Sequence, residues 1–152
     1  ECSIADMSAG EALEAMANIG SAAVLEAVEL ISKDSKPSAQ VGEPSLAQKI
    51  SNSELQISFV SKVEEIERQI RAFAPKPGAW STFKGNRVKF LGAKMNPAVS
   101  GNPGEVLSTS PLLVAGKDGA LIIHSLQEAG KRVMTSEEWV RGARIQIGER
   151  FE

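Results

Sequence analysis

Tyrosine is absent from this 152-residue chain, and cysteine and histidine each occur once. A lone Cys2 cannot close an internal disulfide, which points to a reducing compartment. One cysteine and one histidine cannot make the Cys/His set that holds zinc. Cys2 has no base placed to activate it, and His124, in an apolar strand, reads as a structural or surface residue. The glycines near 101–104 and 116–119 lack the Lys-Ser/Thr ending of a phosphate loop. Uninterrupted apolar runs such as Leu112 to Ala115 and Ala120 to Ile123 are far too short to cross a bilayer, and no signal peptide is visible. Carboxylate pairs such as Glu64/Glu65 and Glu137/Glu138 fall on exposed helix faces. The residues offer no catalytic site.

What is present suffices for one ordinary domain, or a small domain with an attached piece of another. Apolar residues make up 42% of the chain, enough for a core, and charge at 24% is unremarkable. The chain begins at Glu1, so a fragment or processed product is expected. The formal net charge of -2 hides an asymmetry. Residues 1–40 hold two bases against seven acids, whereas residues 71–135 hold nine bases against three acids. A basic segment inside an acidic total suits a localised anionic partner, nucleic acid being the usual one, although charge scatter on a solvated surface gives the same count.

Residues 8–31 read as a helix. Ser8-Ala9-Gly10-Glu11 fits a capping box, and Leu13, Met16, Ala17, Gly20, Val24, Val28 and Ile31 recur at helical spacing. Gly20 and the alanines of that stripe suggest close apposition to another element, and residues 1–32 are expected to pack only loosely on the C-terminal unit. Residues 32–48, with Pro37, Gly42 and Pro44, have a linker's composition. A second helix runs from about Ser61 to Phe73, with Val63, Ile66, Ile70 and Phe73 as its buried stripe. Pro75 and Pro77 then stop it, because proline fixes φ and biases the preceding residue away from the helical region. The result is a rigid corner.

Beyond the corner the period becomes two. Ala79–Phe83 and Arg87–Met95 flank a Lys84-Gly85-Asn86 turn, with Arg87, Lys89 and Gly92 or Ala93 alternating against Val88, Phe90 and Leu91. Short strands come next near Glu105–Ser108, Pro111–Ala115 and Ala120–Gln127, and Thr135-Ser136-Glu137-Glu138 opens a last helix. Five short strands with regular turns suggest a small barrel. Phe73, Trp80, Phe83 and Phe90 are expected in its core, which favours contact with phosphates of a folded RNA over base stacking.

The corner, Ile70-Arg71-Ala72-Phe73-x-Pro75-x-Pro77-Gly78-Ala79-Trp80, resembles the start of the C-terminal domain in the methionyl-tRNA formyltransferase family. Leu126-Gln127-x-x-Gly130-Lys131-Arg132-x-Met134 is similar to that family's late motif. Ala47-x-Lys49-Ile50 with Glu54 and Ile57-Ser58-Phe59 resembles its linker exit, and Ser8-Ala9-Gly10-Glu11 the last helix of its catalytic domain. Four motifs in order cover almost the whole chain. Formyltransferases acting on nucleotide sugars share the corner, whereas Gly130-Lys131-Arg132-x-Met134 favours the tRNA enzyme.

The resemblance implies an α+β fold: a small OB-like β-barrel preceded by a helix, and an N-terminal helix belonging to a missing Rossmann-like formyltransferase domain. Residues 1–32 would be the tail of that catalytic domain, 33–58 a linker, and 59–152 an OB-like tRNA-binding domain. The family moves a formyl group from 10-formyltetrahydrofolate to initiator methionyl-tRNA at translation initiation. This piece, lacking the catalytic residues and needing no cofactor of its own, would be inert and would position tRNA. Lys49 matches a linker lysine of the family; a basic residue expected three positions later is Asn52 here. Arg71, Lys76, Lys131 and Arg132 lie in matching motifs, Arg71 serving equally well as an ion pair bracing the corner, and Arg141 and Arg144 lie where the family often carries arginines. A monomer in the bacterial cytoplasm or an organellar matrix, with no membrane partner, is implied. The alternatives are the C-terminal domain of a sugar-nucleotide or folate-linked formyltransferase without an RNA role, and a self-association module.

Overall fold

The computed structural model describes residues 2–152. Helix α1 (Ala9–Ser32) opens with the expected capping box: the Glu11 amide donates to the Ser8 hydroxyl at 3.3 Å, and the Ser8 amide donates to Glu11 Oε2 at 2.8 Å. Residues 35–48 have no regular structure. Helix α2 (Val63–Phe73) buries Val63, Ile66 and Ile70 of the predicted stripe, while Phe73, at its C-terminal end, packs on the core only partly buried. Its first turn is held from afar, because the Val63 amide donates to Asp118 Oδ1 at 2.9 Å.

Strands β1 (Ala79–Phe83), β2 (Asn86–Asn96), β3 (Val106–Thr109), β4 (Leu112–Ala115), β5 (Ala120–Glu128) and β6 (Met134–Thr135) form one antiparallel sheet in the order β1-β2-β5-β4-β3, with β6 also on β5. Helix α3 (Ser136–Ala143) closes the chain's regular structure, capped by Thr135 and Glu138. The sheet is not closed on itself: β1 and β3 are its ends and share no ladder among the described residues. The last five residues reach both ends instead. Val106 donates to the Glu149 carbonyl at 2.8 Å, and the Glu152 amide donates to Thr82 at 2.9 Å.

Under the sheet lies a core of Ile57, Phe59, the α2 stripe, Phe90, Leu121, Trp139 and their neighbours, with Phe151 from the chain end in contact with Phe59, Phe83, Phe90 and Trp139. Three expectations need correction. Strand β2 does not alternate throughout: register shifts at Gly92 send Ala93 inward and leave Leu91 half-buried on the outer side. Trp80 is not in the core, since β1 alternates and Ala79, Ser81 and Phe83 take the inward places. Gly20 has nothing within 4 Å of where a Cβ would stand, so no element packs there; Gly10 does, its Cβ position lying 2.5 Å from Pro75.

Helix α1 is otherwise free of the domain. Only Ala12 is buried, while Leu13, Met16, Val24, Leu25, Val28 and Ile31 are exposed, Leu25 at 70%. Its most apolar 18 residues have a mean hydropathy of 1.3, so by length and composition α1 is sufficient to cross a membrane, as is a helix made to be buried in protein. Looking for contiguous apolar runs misses this, because Asn18, Gly20, Ser21, Glu26 and Glu29 interrupt the apolar residues.

Candidate nucleic-acid interface

The described residues hold no group of three or more His, Cys, Asp or Glu side chains placed for a metal ion. His124 is exposed on β5, and Cys2 is exposed. The cationic side chains are what remains, and they fall into committed and open ones.

Arg71 is committed. Its Nε donates to Glu67 Oε1 at 2.7 Å, and Nη1 donates to the carbonyls of Ala5 at 2.6 Å and Met7 at 3.3 Å. The Gly10 amide adds a 3.0 Å bond to the Ala74 carbonyl. The arginine therefore ties residues 5–7 to α2, which is the bracing role, and its side chain is only 26% exposed. Lys131 donates to Glu128 Oε2 at 2.9 Å, and Arg132 donates to Glu138 Oε1 at 2.8 Å. The Arg132 hydrogen bond, helped by the Thr135 amide, holds the Glu138 carboxyl below the usual carboxylate range.

Lys49, Lys76, Arg141 and Arg144 are exposed and take part in no ion pair among the described residues. Lys49 precedes a turn in which the Ser51 amide donates to Glu54 at 2.6 Å, depressing the Glu54 pKa. That turn is fixed by Gln69, whose Nε2 donates to the Glu54 carbonyl at 2.7 Å, and by reciprocal 2.8 Å bonds of Leu55 and Ile57 with Trp80. Lys76 stands at the tip of the corner between Pro75 and Pro77. Arg141 lies in the last turn of α3, and Arg144 caps that helix in the left-handed region at φ 51°.

Strand β2 relates the corner to the 128–131 turn. The Lys89 side chain reaches within 3.0 Å of the Gly78 Cβ position, and Lys89 pairs with Gln127, whose Nε2 donates to the Lys131 carbonyl at 2.9 Å. Arg87 and Lys89, with Gln127, Glu128, Ala129 and Gly130, line a hollow of about 260 Å³. In the sequence these two cations read only as strand alternation; their signal was the outward phase of β2. Arg141, on α3, and Arg144, its C-cap, are not in this hollow.

The hollow between α2 and the segment before α1 is a poor match for folate. This hollow, about 590 Å³, is rimmed by Asp6, Glu64, Glu67, Arg68, Arg71 and Lys94, with no aromatic wall for a pteridine. Its arginines are already paired to Glu64 and Glu67, and its carboxylates would repel folate's acidic tail.

Comparison with known proteins gives a consistent result. The family described as formyl transferase, C-terminal domain, matches residues 49–144. A methionyl-tRNA formyltransferase of Thermobifida fusca is 33% identical over 147 residues, covering 93% of this chain and 47% of the relative. One from Neisseria gonorrhoeae is 36% identical over 149 residues, covering 94% and 48%. The chain thus spans about half the length of the curated relatives it matches. Among solved structures, HypX from Aquifex aeolicus in complex with tetrahydrofolic acid superposes with a TM-score of 0.70 at 23% identity, over 83% of this chain and 23% of that one, a likeness of fold. By the match across 49–144, the chain belongs to the formyl transferase C-terminal domain family.

Proposed function

We propose that this chain is the C-terminal part of a methionyl-tRNA formyltransferase and that it holds initiator methionyl-tRNA for formyl transfer from 10-formyltetrahydrofolate in a preceding domain. The observation that carries this reading is the similarity, over more than nine tenths of the chain, to proteins of that name twice its length. The same relatives favour it over a nucleotide-sugar enzyme. In this reading residues 1–32 are the tail of the catalytic domain, 33–58 the linker and 59–152 the tRNA-binding domain. The exposed apolar face of α1 is then covered by that domain rather than by lipid, and the protein works as a cytoplasmic or organellar-matrix monomer. We read the open sheet as OB-like, the links of Glu149 to Val106 and of Glu152 to Thr82 serving as its closure.

The cations fall into two groups of tRNA contacts by their place in the chain, and the paired Lys131 and Arg132 would exchange a carboxylate for a phosphate. Lys49 and Lys76 face solvent on either side of α2 and are read as phosphate contacts, with Lys131, Arg132, Arg141 and Arg144 as a second group. Arg71 sets the direction of the segment before α1. Titration of the 152-residue chain with initiator tRNA at low salt tests this. Binding should weaken steeply as salt rises, and Lys49→Ala with Lys76→Ala should lower affinity several-fold and the salt slope by about two. Equal affinity for tRNA and heparin overturns the reading.

A further inference from the structure

The outer side of the sheet carries the one large aromatic that the core does not use. Trp80 is half-buried, and its enclosed Nε1–H has no acceptor among the described residues, so no side-chain hydrogen bond ties the ring down. The Arg87 guanidinium lies over it, 3.8 Å from the ring centroid. Trp80 pairs with Lys89 across β1–β2, and Lys89 with Gln127 across β2–β5, so the three side chains form one row on one face. Arg87 and Thr82 make the next row. Neither Arg87 nor Lys89 takes part in an ion pair among the described residues, unlike Arg71, Lys131 and Arg132. The one acid on the adjoining hollow, Glu128, is already bonded to Lys131.

We propose that Trp80, Arg87 and Lys89 form a contact for an unpaired nucleotide of RNA, with Trp80 as the platform for its base and the two cations on the flanking phosphates. The proposal rests on the reading of this chain as an RNA-holding domain, and it names where and how one nucleotide is held. The Arg87 guanidinium, held by no ion pair among the described residues, occupies the ring face that a base would take. Guanidinium and base both stack on the indole face, and the base stack is the stronger of the two. When a base takes the ring, Arg87 is released towards phosphate, where its fork binds two oxygens at once. The hollow beside it, about 260 Å³ and walled by Lys89 and Gln127, gives that phosphate room. A duplex has no free base face to offer, so the site selects unpaired nucleotides.

The intrinsic fluorescence of the wild-type chain reads this directly. Of the two tryptophans, Trp139 is 2% exposed and enclosed by Phe83 and Phe151, so a change on binding reports Trp80. Initiator tRNA and a short single-stranded RNA should quench it, whereas a blunt RNA duplex of equal charge should not, and Trp80→Phe should abolish the signal while keeping affinity within about twofold. Trp80→Ala should weaken tRNA binding about tenfold. Arg87→Ala with Lys89→Ala should weaken it about tenfold at low salt and lower the salt slope by one to two, with an unchanged circular dichroism spectrum. If the chain prefers tRNA to heparin but its fluorescence is unmoved and these variants bind as wild type, the proposal fails and the tRNA reading stands. If tRNA is not preferred to heparin, both fail.

Discussion

The two long helices of this chain were built by opposite rules. Helix α1 has 24 residues, a complete capping box from its own sequence, and only Ala12 buried. Helix α2 has 11 residues and no side-chain cap of its own, yet it buries three aliphatic side chains, and its first amide is satisfied by Asp118 from a turn 55 residues away. The first is locally specified and tertiarily unpartnered; the second depends on its tertiary surroundings. An apolar stripe therefore states what a helix needs, whereas only contact shows that the need is met. In α1 the stripe is the longer of the two and goes unanswered.

The strongest way to break this comparison is to truncate a side chain in each helix. Ile66→Ala, at a site 1% exposed, should cost about 2–5 kcal/mol and move the urea midpoint of the whole sheet domain. Leu25→Ala, on the exposed face of α1, should stay within about 0.5 kcal/mol. Equal effects would mean that α1 is buried in solution, against another copy or by folding back.

How far the sequence reading reached obeys the same division. The periods of 3.6 and 2 placed both helices, the Lys84–Asn86 hairpin and β3 to β5 within a residue or two, because those signals are local. The insertion at Gly92 that turns Ala93 inward was not legible, since a bulge is set by the partner strand. The chain end was missed for a related reason. Phe151 sits in a segment without strand period, and its burial depends on contacts with four distant aromatic rings. For the candidate site, the basic stretch 71–135 was visible as composition, but which cations are paired was not. Lys131 and Glu128 are three apart, yet Arg71 meets carbonyls more than sixty residues away. Placing Trp80 in the core came from counting aromatics, whereas the phase of β1 within the sheet decides its side.

Arg71 is the joint between the two helices, so its removal sharpens the contrast at intermediate cost. Arg71→Ala leaves the core untouched and should lower global stability by no more than about 1 kcal/mol. Amide exchange in residues 5–12 should nevertheless accelerate about tenfold while that of α2 and the sheet stays unchanged. Arg71→Lys should not restore protection, because one ammonium cannot reproduce a fork shared between the Glu67 carboxylate and two carbonyls. Acceleration spread through the sheet would show that the clamp supports the core.

The smallest effect separates the helices by how they are capped. The Ser8 amide, and then its hydroxyl, hold the Glu11 carboxyl below the usual range, so the folded α1 terminus favours the charged form. A depressed carboxyl pKa contributes stability that is present above the unfolded value, about 4.3, and disappears as the pH falls through the folded one. Acidification from pH 6 towards pH 3 should therefore fray residues 9–12, seen as a loss of helical Cα chemical shifts, while Val63–Ile66 keep theirs until the domain itself unfolds. Glu11→Gln retains an acceptor for the Ser8 amide but has no proton to gain, so its terminus should lose this pH dependence and sit slightly frayed throughout. A wild-type terminus as indifferent to pH as that variant would mean that the Gly10 bond to Ala74 and the fit against Pro75, rather than the local box, hold the start of α1.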